Sequence, residues 1–221
     1  MAGAILAIWS DVTPGQETDY LHWLTREHTA ERVGIPGFEA VRVFRADMAQ
    51  TCRYLILYDL AAPSVLTSPA YLARLNAPTS WSQRIMPMLR NFARGGGEVS
   101  LEFGLGRGGH LAAFRLARRP SADSAPMRAI VAEDRICAVR LLKVDASGTG
   151  TETHEKTLRA GDSSFPGLLL VEALDTGALH AALASHRDAI GQIGAEDVEG
   201  ATYSLVFALE KADLLRQNSV A

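Results

Sequence analysis

The two halves of the chain repeat the same order of strand-like segments, and this repetition constrains the fold more than any other feature of the sequence. Ala40-Val41-Arg42 recurs as Ala138-Val139-Arg140, 98 positions later, and Ser100-Leu101-Glu102-Phe103 has a counterpart in Ser204-Leu205-Val206-Phe207, 104 positions later. Short matches also arise by chance, so their shared order is the stronger argument. The offset changes only where loops and helices are expected, because connections vary in length while core strands do not.

Each half reads as strand, helix, strand, strand, helix, strand. In the first half the predicted strands are 4–10, 38–45, 53–60 and 99–103, and the predicted helical regions are 13–32 and 64–92, the second interrupted at Pro78. In the second half the predicted strands are 110–115, 136–145, 165–174 and 201–209, and the predicted helices are 124–133, 176–193 and a short one after Lys211. Gly95-Gly96-Gly97 is expected to end a helix, 104–109 to link the halves, and 146–164 to form a polar loop.

A βαββαβ unit is the ferredoxin-like motif, an α+β arrangement with helices on one face of an antiparallel sheet. Leu55-Ile56-Leu57 and Leu168–Val171 are apolar at consecutive positions, so both faces of these strands are expected to be buried. The simplest way to bury the bare face of each sheet is to pack it against the bare face of the other sheet. We therefore predict two fused ferredoxin-like βαββαβ repeats, 1–105 and 106–221, whose antiparallel sheets pack into an α/β barrel that the second repeat completes.

Composition and charge exclude several classes of partner. Lys and Arg number 22 against 25 Asp and Glu, so the formal charge of −3 gives no reason to expect nucleic acid or an anionic membrane. No apolar run approaches the ~20 residues of a membrane span, and the apolar N-terminus lacks the basic residues of a signal peptide. We expect a cytoplasmic protein. Cys52 and Cys137 are not at metal-ligand spacing, so no metal site is expected from them.

His28 is the strongest candidate for chemistry. Leu21, Leu24 and His28 are spaced as one stripe of a helix, which directs the imidazole toward the sheet with the leucines. A histidine there can act as a general acid or base. The alternative is a core histidine that is hydrogen-bonded to a backbone carbonyl. A metal pair with Glu31 is a further alternative, although no second ligand cluster accompanies it.

Aromatic residues concentrate in the first half, which contains all three tryptophans. Such a set suits a pocket for a small hydrophobic or aromatic molecule, and ordinary core packing is the alternative. We expect the first half to contain the site. The side chains expected to bind the substrate there are Trp23, Glu27, Tyr54, Tyr58 and Trp81.

Arginines near these aromatics are candidates for stabilising negative charge on a substrate. Arg42 and Arg84 are expected to act with His28 as the catalytic set, and Arg94 follows Phe92 closely in the sequence. The alternative is that they are ordinary surface arginines. No nucleotide-binding glycine pattern and no GxSxG motif accompanies them.

The first-half residues together resemble a known group. Trp23…Glu27-His28, Ile35-Pro36-Gly37-Phe38, Leu66–Tyr71 and Pro78-Thr79-x-Trp81 look like the EthD-like branch of the dimeric α/β-barrel superfamily, over about residues 4–103. The resemblance implies a ferredoxin-like barrel and, often, cofactor-free chemistry. Relatives include dehydratases, isomerases, polyketide cyclases, quinone-forming monooxygenases and proteins of no known activity. Members usually build the barrel from two chains, whereas the fused repeat here does so within one, as a monomer or a homodimer.

Three functional hypotheses follow. The leading one is a cofactor-independent lyase or isomerase, of the dehydratase, isomerase or cyclase type, acting on a small hydrophobic, aromatic or carbonyl compound with His28 as acid and base. The second is a non-catalytic or stress-related barrel protein that binds a small molecule. The third is a haem-binding or monooxygenase-type barrel.

Overall fold

The computed structural model describes residues 3–47, 52–121, 123–145, 148, 150–195 and 202–218, and within them eight antiparallel strands close into a barrel. The order around the barrel is β1-β3-β2-β8-β5-β7-β6-β4. The strands are β1 Ala4–Val12, β2 Phe38–Ala46, β3 Cys52–Leu60, β4 Arg90–Gly104, β5 His110–Leu116, β6 Ile136–Val144, β7 Gly167–Ala173 and β8 Thr202–Glu210. The predicted α+β fold with a closed antiparallel barrel is confirmed.

Helices cover the outer face of each half of the barrel. The helices are α1 Glu17–Trp23, α2 Thr29–Val33, α3 Pro69–Asn76, α4 Ser80–Ile85, α5 Ala125–Val131, α6 His154–Thr157, α7 Thr176–Ser185, α8 Arg187–Ile193 and α9 Lys211–Asn218. A π-helical turn, Leu24–His28, joins α1 to α2. Among the described residues no helix is both long and apolar enough to cross a membrane.

The two faces of each strand belong to different cores, as the alternation of side chains in a strand requires. On β1, Ile5, Ala7 and Trp9 point into the barrel, where they pack with residues of both halves. Leu6 on the same strand packs outward against the first-half helices. The outer face of the second half has a core of its own under α5, α7 and α8.

A buried ion network lies inside the barrel. Glu172 on β7 is fully buried and accepts hydrogen bonds from Arg42 Nη1 at 2.8 Å and from Arg140 Nη1. The backbone N–H of Gly108 also donates to Glu172, at 2.9 Å. Because Arg42 belongs to the first half and Glu172 to the second, this network ties the two halves together.

Two sequence predictions about the first half are wrong in detail. The helical region expected to reach residue 92 ends at Met88, and the three glycines expected to end it lie within β4. Glycine is required there by close approach. A Cβ on Gly97 would lie 1.9 Å from the carbonyl oxygen of Lys143, and one on Gly95 would lie 2.6 Å from the Phe165 ring. β4 can therefore pair with β1 along one part of its length and with β6 along the other.

The second half also departs from expectation in two places. The predicted helix over 176–193 is two helices, α7 and α8, separated at His186. The expected polar loop contains the short helix α6 and makes an isolated parallel bridge, Ser163 with Ala93 of β4. This loop therefore crosses from the second half onto the first.

Candidate functional site

The helix that carries His28 is irregular where His28 lies. Between α1 and α2 the chain makes the π turn Leu24–His28, and the hydroxyl of Thr25 donates to the carbonyl oxygen of Leu21 at 2.7 Å. Single π turns inside α-helices are frequent at functional sites. Both Leu24 and His28 are buried in this turn.

A cavity lies between this helix and the outer face of the first-half sheet. It has about 450 Å³ of empty space, counting its opening to solvent. Its floor includes Ile8 and Ser10 of β1 and Ile56 of β3. The remaining lining residues are Tyr20, Trp23, His28, Arg32, Tyr71, Leu75, Met86, Leu89, Phe92, Arg94, Glu155 and Arg159. The lining is thus aromatic and aliphatic, with one imidazole and several charged groups.

His28 is enclosed as a neutral imidazole. Its side chain belongs to a residue that is 5% exposed, and its ring stacks on Trp23 with the ring centroids 4.1 Å apart. Burial, and then the positive charges of Arg32, Arg159 and Arg74, hold its pKa well below the usual 6.5. Nδ1 is buried without a hydrogen-bond partner among the described residues. Within the described part of the chain, Nδ1 therefore does not form the hydrogen bond to a backbone carbonyl that the core-histidine alternative requires.

The second half supplies one wall of the cavity. We call residues 153–163 the strap. Glu155 of the strap forms a buried ion pair with Arg32. Arg159 Nη2 lies 3.0 Å from Asp162 Oδ2, and its guanidinium lies over the ring of Phe92, 4.1 Å from the centroid. The cavity therefore lies against the first-half sheet, and the strap of the second half contributes to its lining.

The strap is tied to β4 through backbone bonds. Ser163 N–H donates to the carbonyl oxygen of Phe92 at 3.1 Å, and Arg94 N–H donates to that of Ser163 at 2.9 Å. Arg94 Nε also lies 3.2 Å from Asp162 Oδ2. Asp162 therefore sits between two guanidinium groups, those of Arg94 and Arg159.

Of the residues predicted for the site, His28 and Trp23 line the cavity together. Trp23 Nε1 donates to Ser82 Oγ at 3.1 Å, which fixes the indole under the imidazole. Tyr54 and Tyr58 lie on the same outer face of β3 as Ile56 of the floor. Tyr54 donates to Glu17 at 2.5 Å, whereas the Tyr58 hydroxyl is buried without a partner among the described residues.

The other predicted residues do not join them. Arg42 is on the barrel side of β2, opposite Leu57, where it pairs with Glu172. Arg84 and Trp81 both bind Asp19 at the protein surface. Glu27 accepts a hydrogen bond from Thr79 at 2.6 Å. The expected grouping of Arg42 and Arg84 with His28 is therefore not formed.

The charged residues that do line the cavity include some that the sequence did not single out for it. Arg32, at the end of the predicted helical region 13–32, is 3% exposed and faces the cavity. Glu155 and Arg159 fell in the expected polar loop. Arg94, which follows Phe92 closely in β4, also lines the cavity.

No metal centre is indicated in the part of the chain that the structure describes. It has no group of three or more His, Cys, Asp or Glu side chains arranged to hold an ion. Glu31, the alternative partner of His28, pairs with Arg74 instead, with Nη1 and Oε1 3.1 Å apart. Cys52 and Cys137 are both free thiols.

Comparisons with known proteins define the fold. No protein-family model and no curated protein matches this sequence. An anthrone oxidase-like protein of known structure is 11% identical and matches with a TM-score of 0.59 over 96% of both chains. A provisionally named monooxygenase from Fusobacterium nucleatum is 14% identical, with a TM-score of 0.54 over 95% of each chain. A provisionally named chlorite dismutase is 12% identical, with a TM-score of 0.54 over 98% of this chain and 99% of that one. At such identities the likeness concerns the fold, and this chain has the ferredoxin-like α/β-barrel fold of these proteins.

Proposed function

We propose that this protein is a cofactor-independent enzyme of the EthD-like type that removes a proton from a small aromatic or carbonyl compound, with His28 as the base. The observation that carries the proposal is a neutral imidazole enclosed in an aromatic-lined cavity beside guanidinium groups. A base must be unprotonated to accept a proton, and the depressed pKa of His28 keeps it so at neutral pH.

The chemistry follows from what surrounds the imidazole. A ring nitrogen of His28 takes the proton from a C–H next to a carbonyl, and the C–H electron pair moves onto the carbonyl oxygen as an enolate. Arg32 and Arg159 line the same cavity, and their positive charge stabilises that oxygen. Return of the proton to another carbon completes an isomerisation, and its delivery to a departing hydroxide completes a dehydration.

A monooxygenase-type reaction is the second candidate, and it shares this first step. It is favoured by the fold likeness to an anthrone oxidase-like protein and to a provisionally named monooxygenase. Here the carbanion reacts with molecular oxygen. An aryl CH₂ and O₂ become a ketone and water, so the carbon is oxidised and one oxygen atom leaves as water.

Haem does not fit this cavity. Among the described lining residues His28 is the one histidine, and its buried ring lies against Trp23. At 5% exposure the residue has little open space beside it for a group as large as a macrocycle. Titration with haemin tests whether haem binds elsewhere on the protein. A shifted Soret band would show that haem is a ligand.

Anthrone is a suitable probe because its methylene is acidified by an aryl ketone. We expect the protein to speed deuterium exchange at this methylene in anaerobic D₂O. His28→Gln should reduce the enzymatic rate by about 10²- to 10⁴-fold, the usual contribution of a general base. His22→Gln, on the same helix but outside the cavity lining, is the matched control.

The same probe separates the candidate functions. In air, consumption of one O₂ per anthraquinone formed would identify the monooxygenase-type reaction. Exchange without O₂ consumption would identify proton transfer alone, as in an isomerase. Stabilisation of the protein by anthrone with neither exchange nor product would contradict the proposal and favour a non-catalytic binder.

A further inference from the structure

The cavity carries an excess of positive charge. Three guanidinium groups, those of Arg32, Arg94 and Arg159, line it, and one carboxylate, that of Glu155, lines it with them. Asp162 behind the lining pairs with both Arg94 and Arg159. Among the groups named here, three guanidinium groups thus accompany two carboxylates, those of Glu155 and Asp162. Buried charges are normally compensated, because leaving them alone costs several kcal/mol.

Two of these guanidinium groups also have unused donors. Arg32 Nη1 and Arg159 Nε are buried without hydrogen-bond partners among the described residues. A guanidinium group can only donate, so what these nitrogens lack is an acceptor. An unsatisfied buried donor is costly, and a ligand oxygen would remove that cost.

The rest of the lining sets the shape of the missing partner. Tyr20, Trp23, Tyr71 and Phe92 supply aromatic walls, and Arg159 already stacks over one of them. Flat aromatic walls next to donors without acceptors suit a flat ring that carries a charged oxygen.

We propose that the cavity binds an aromatic compound carrying an anionic oxygen, a carboxylate or a phenolate, which Arg32 and Arg159 hold. This inference rests on the proposed function in that it assigns the ligand class of the same cavity. The guanidinium pair fixes the anionic end of the ligand and leaves its ring between the aromatic walls and His28. Binding of the anionic oxygen by Arg32 and Arg159 is therefore separate from proton transfer. It does not require His28 to be a base.

The probes are 2-naphthoate and 2-naphthamide, which share a ring system and differ in charge. Isothermal titration should give naphthoate at least a tenfold lower Kd than naphthamide. This ratio needs no variant, so a failure of folding cannot obscure it. Equal affinities, or binding of neither probe, would overturn the proposal.

Variants locate the preference and separate it from catalysis. Arg159→Met keeps most of the apolar stem and should abolish the preference for naphthoate, whereas Arg159→Lys should retain it. Arg84→Gln on the surface is the control and should change neither Kd. His28→Gln should bind naphthoate while losing proton transfer. A preference that survives Arg159→Met would also overturn the assignment, whatever the outcome for His28.

Discussion

The helices that follow the first strand of each half differ in length and in the side chains that they bury. In the first half, α1, the π turn and α2 together span residues 17–33 and bury Trp23 and His28. In the second half the corresponding helix is only Ala125–Val131, and it buries Met127 and Ile130. One topology thus carries a helix that lines a cavity in the first half and a shorter helix that buries two apolar side chains in the second, so the two halves differ in the helices that cover the sheets.

The connections between the middle strands of each half differ as well. Residues 47–51 join β2 to β3, whereas residues 145–166 join β6 to β7. The longer connection includes the strap, which brings Glu155 and Arg159 to the cavity of the first half. The second half therefore contributes two charged side chains to a cavity that lies against the first-half sheet. The predictions below test this division of roles, from the largest expected effect to the smallest.

Glu172→Gln should destabilise both halves together. The change leaves Arg42 and Arg140 buried in the barrel without their shared carboxylate, which costs about 3–5 kcal/mol for a broken buried ion pair. Urea denaturation followed by tryptophan fluorescence measures the loss. Glu102→Gln is the control, because Glu102 is the less buried carboxylate partner of Arg140 and otherwise lies 3.8 Å from Arg107. A loss below about 1 kcal/mol would mean that the network does not join the halves.

Ile130→Ala should lower stability without affecting the cavity. Ile130 is fully buried under the second-half sheet, and truncating it costs about 2–5 kcal/mol. Its neighbours do not line the first-half cavity, so the Kd for naphthoate should stay the same. A parallel loss of affinity would show that the two outer cores are coupled.

Acid should destabilise the protein through His28. Its folded-state pKa is depressed, so below about pH 6.5 the unfolded chain binds a proton that the folded chain does not. The free energy of unfolding therefore falls with decreasing pH, by up to about 1.4 kcal/mol per pH unit, until the folded-state pKa is reached. Urea denaturation at pH 7, 6 and 5 measures the slope. The slope should be smaller in His28→Gln, and an unchanged slope would contradict the assignment of a neutral buried imidazole.

Arg84→Gln should have the smallest effect. Arg84 and Asp19 form an exposed pair with Nη2 and Oδ1 3.0 Å apart, and such pairs contribute little to stability because water screens the two charges. Thermal unfolding should change little, and exchange at the anthrone methylene should continue at the original rate. A loss of that rate would return Arg84 to the catalytic set that the sequence suggested.

Much of the fold could be predicted from the sequence because strands leave local signals. Alternating and consecutive apolar residues located every strand, and the recurring strand order led to the barrel. The predicted start of β4 was too far along the chain, because consecutive glycines are typical of positions where a helix or strand ends. They are needed for close contacts with Lys143 and Phe165, which are distant in sequence. Dividing the chain at residue 105 remains a prediction.

The site was less predictable because its charged residues come from distant segments. The helical stripe of apolar residues predicted that His28 is buried, and the clustering of aromatic residues predicted that Trp23 lies near it. Arg42 was misplaced relative to them because neighbouring residues of a strand face opposite sides, and the sequence does not say which side holds the cavity. Arg159 could not be found locally, since only the path of the strap brings it next to Phe92.

Joining both halves of the barrel in one chain has a consequence for how the protein works at low concentration. The β2–β8 and β4–β6 pairings that close the barrel are intramolecular, as is the Arg32–Glu155 contact that closes the cavity. Assembly of this pocket is therefore unimolecular. The proposed proton-exchange activity per molecule should stay constant on dilution, whereas the activity of a pocket completed by a second subunit would be lost as the subunits separate.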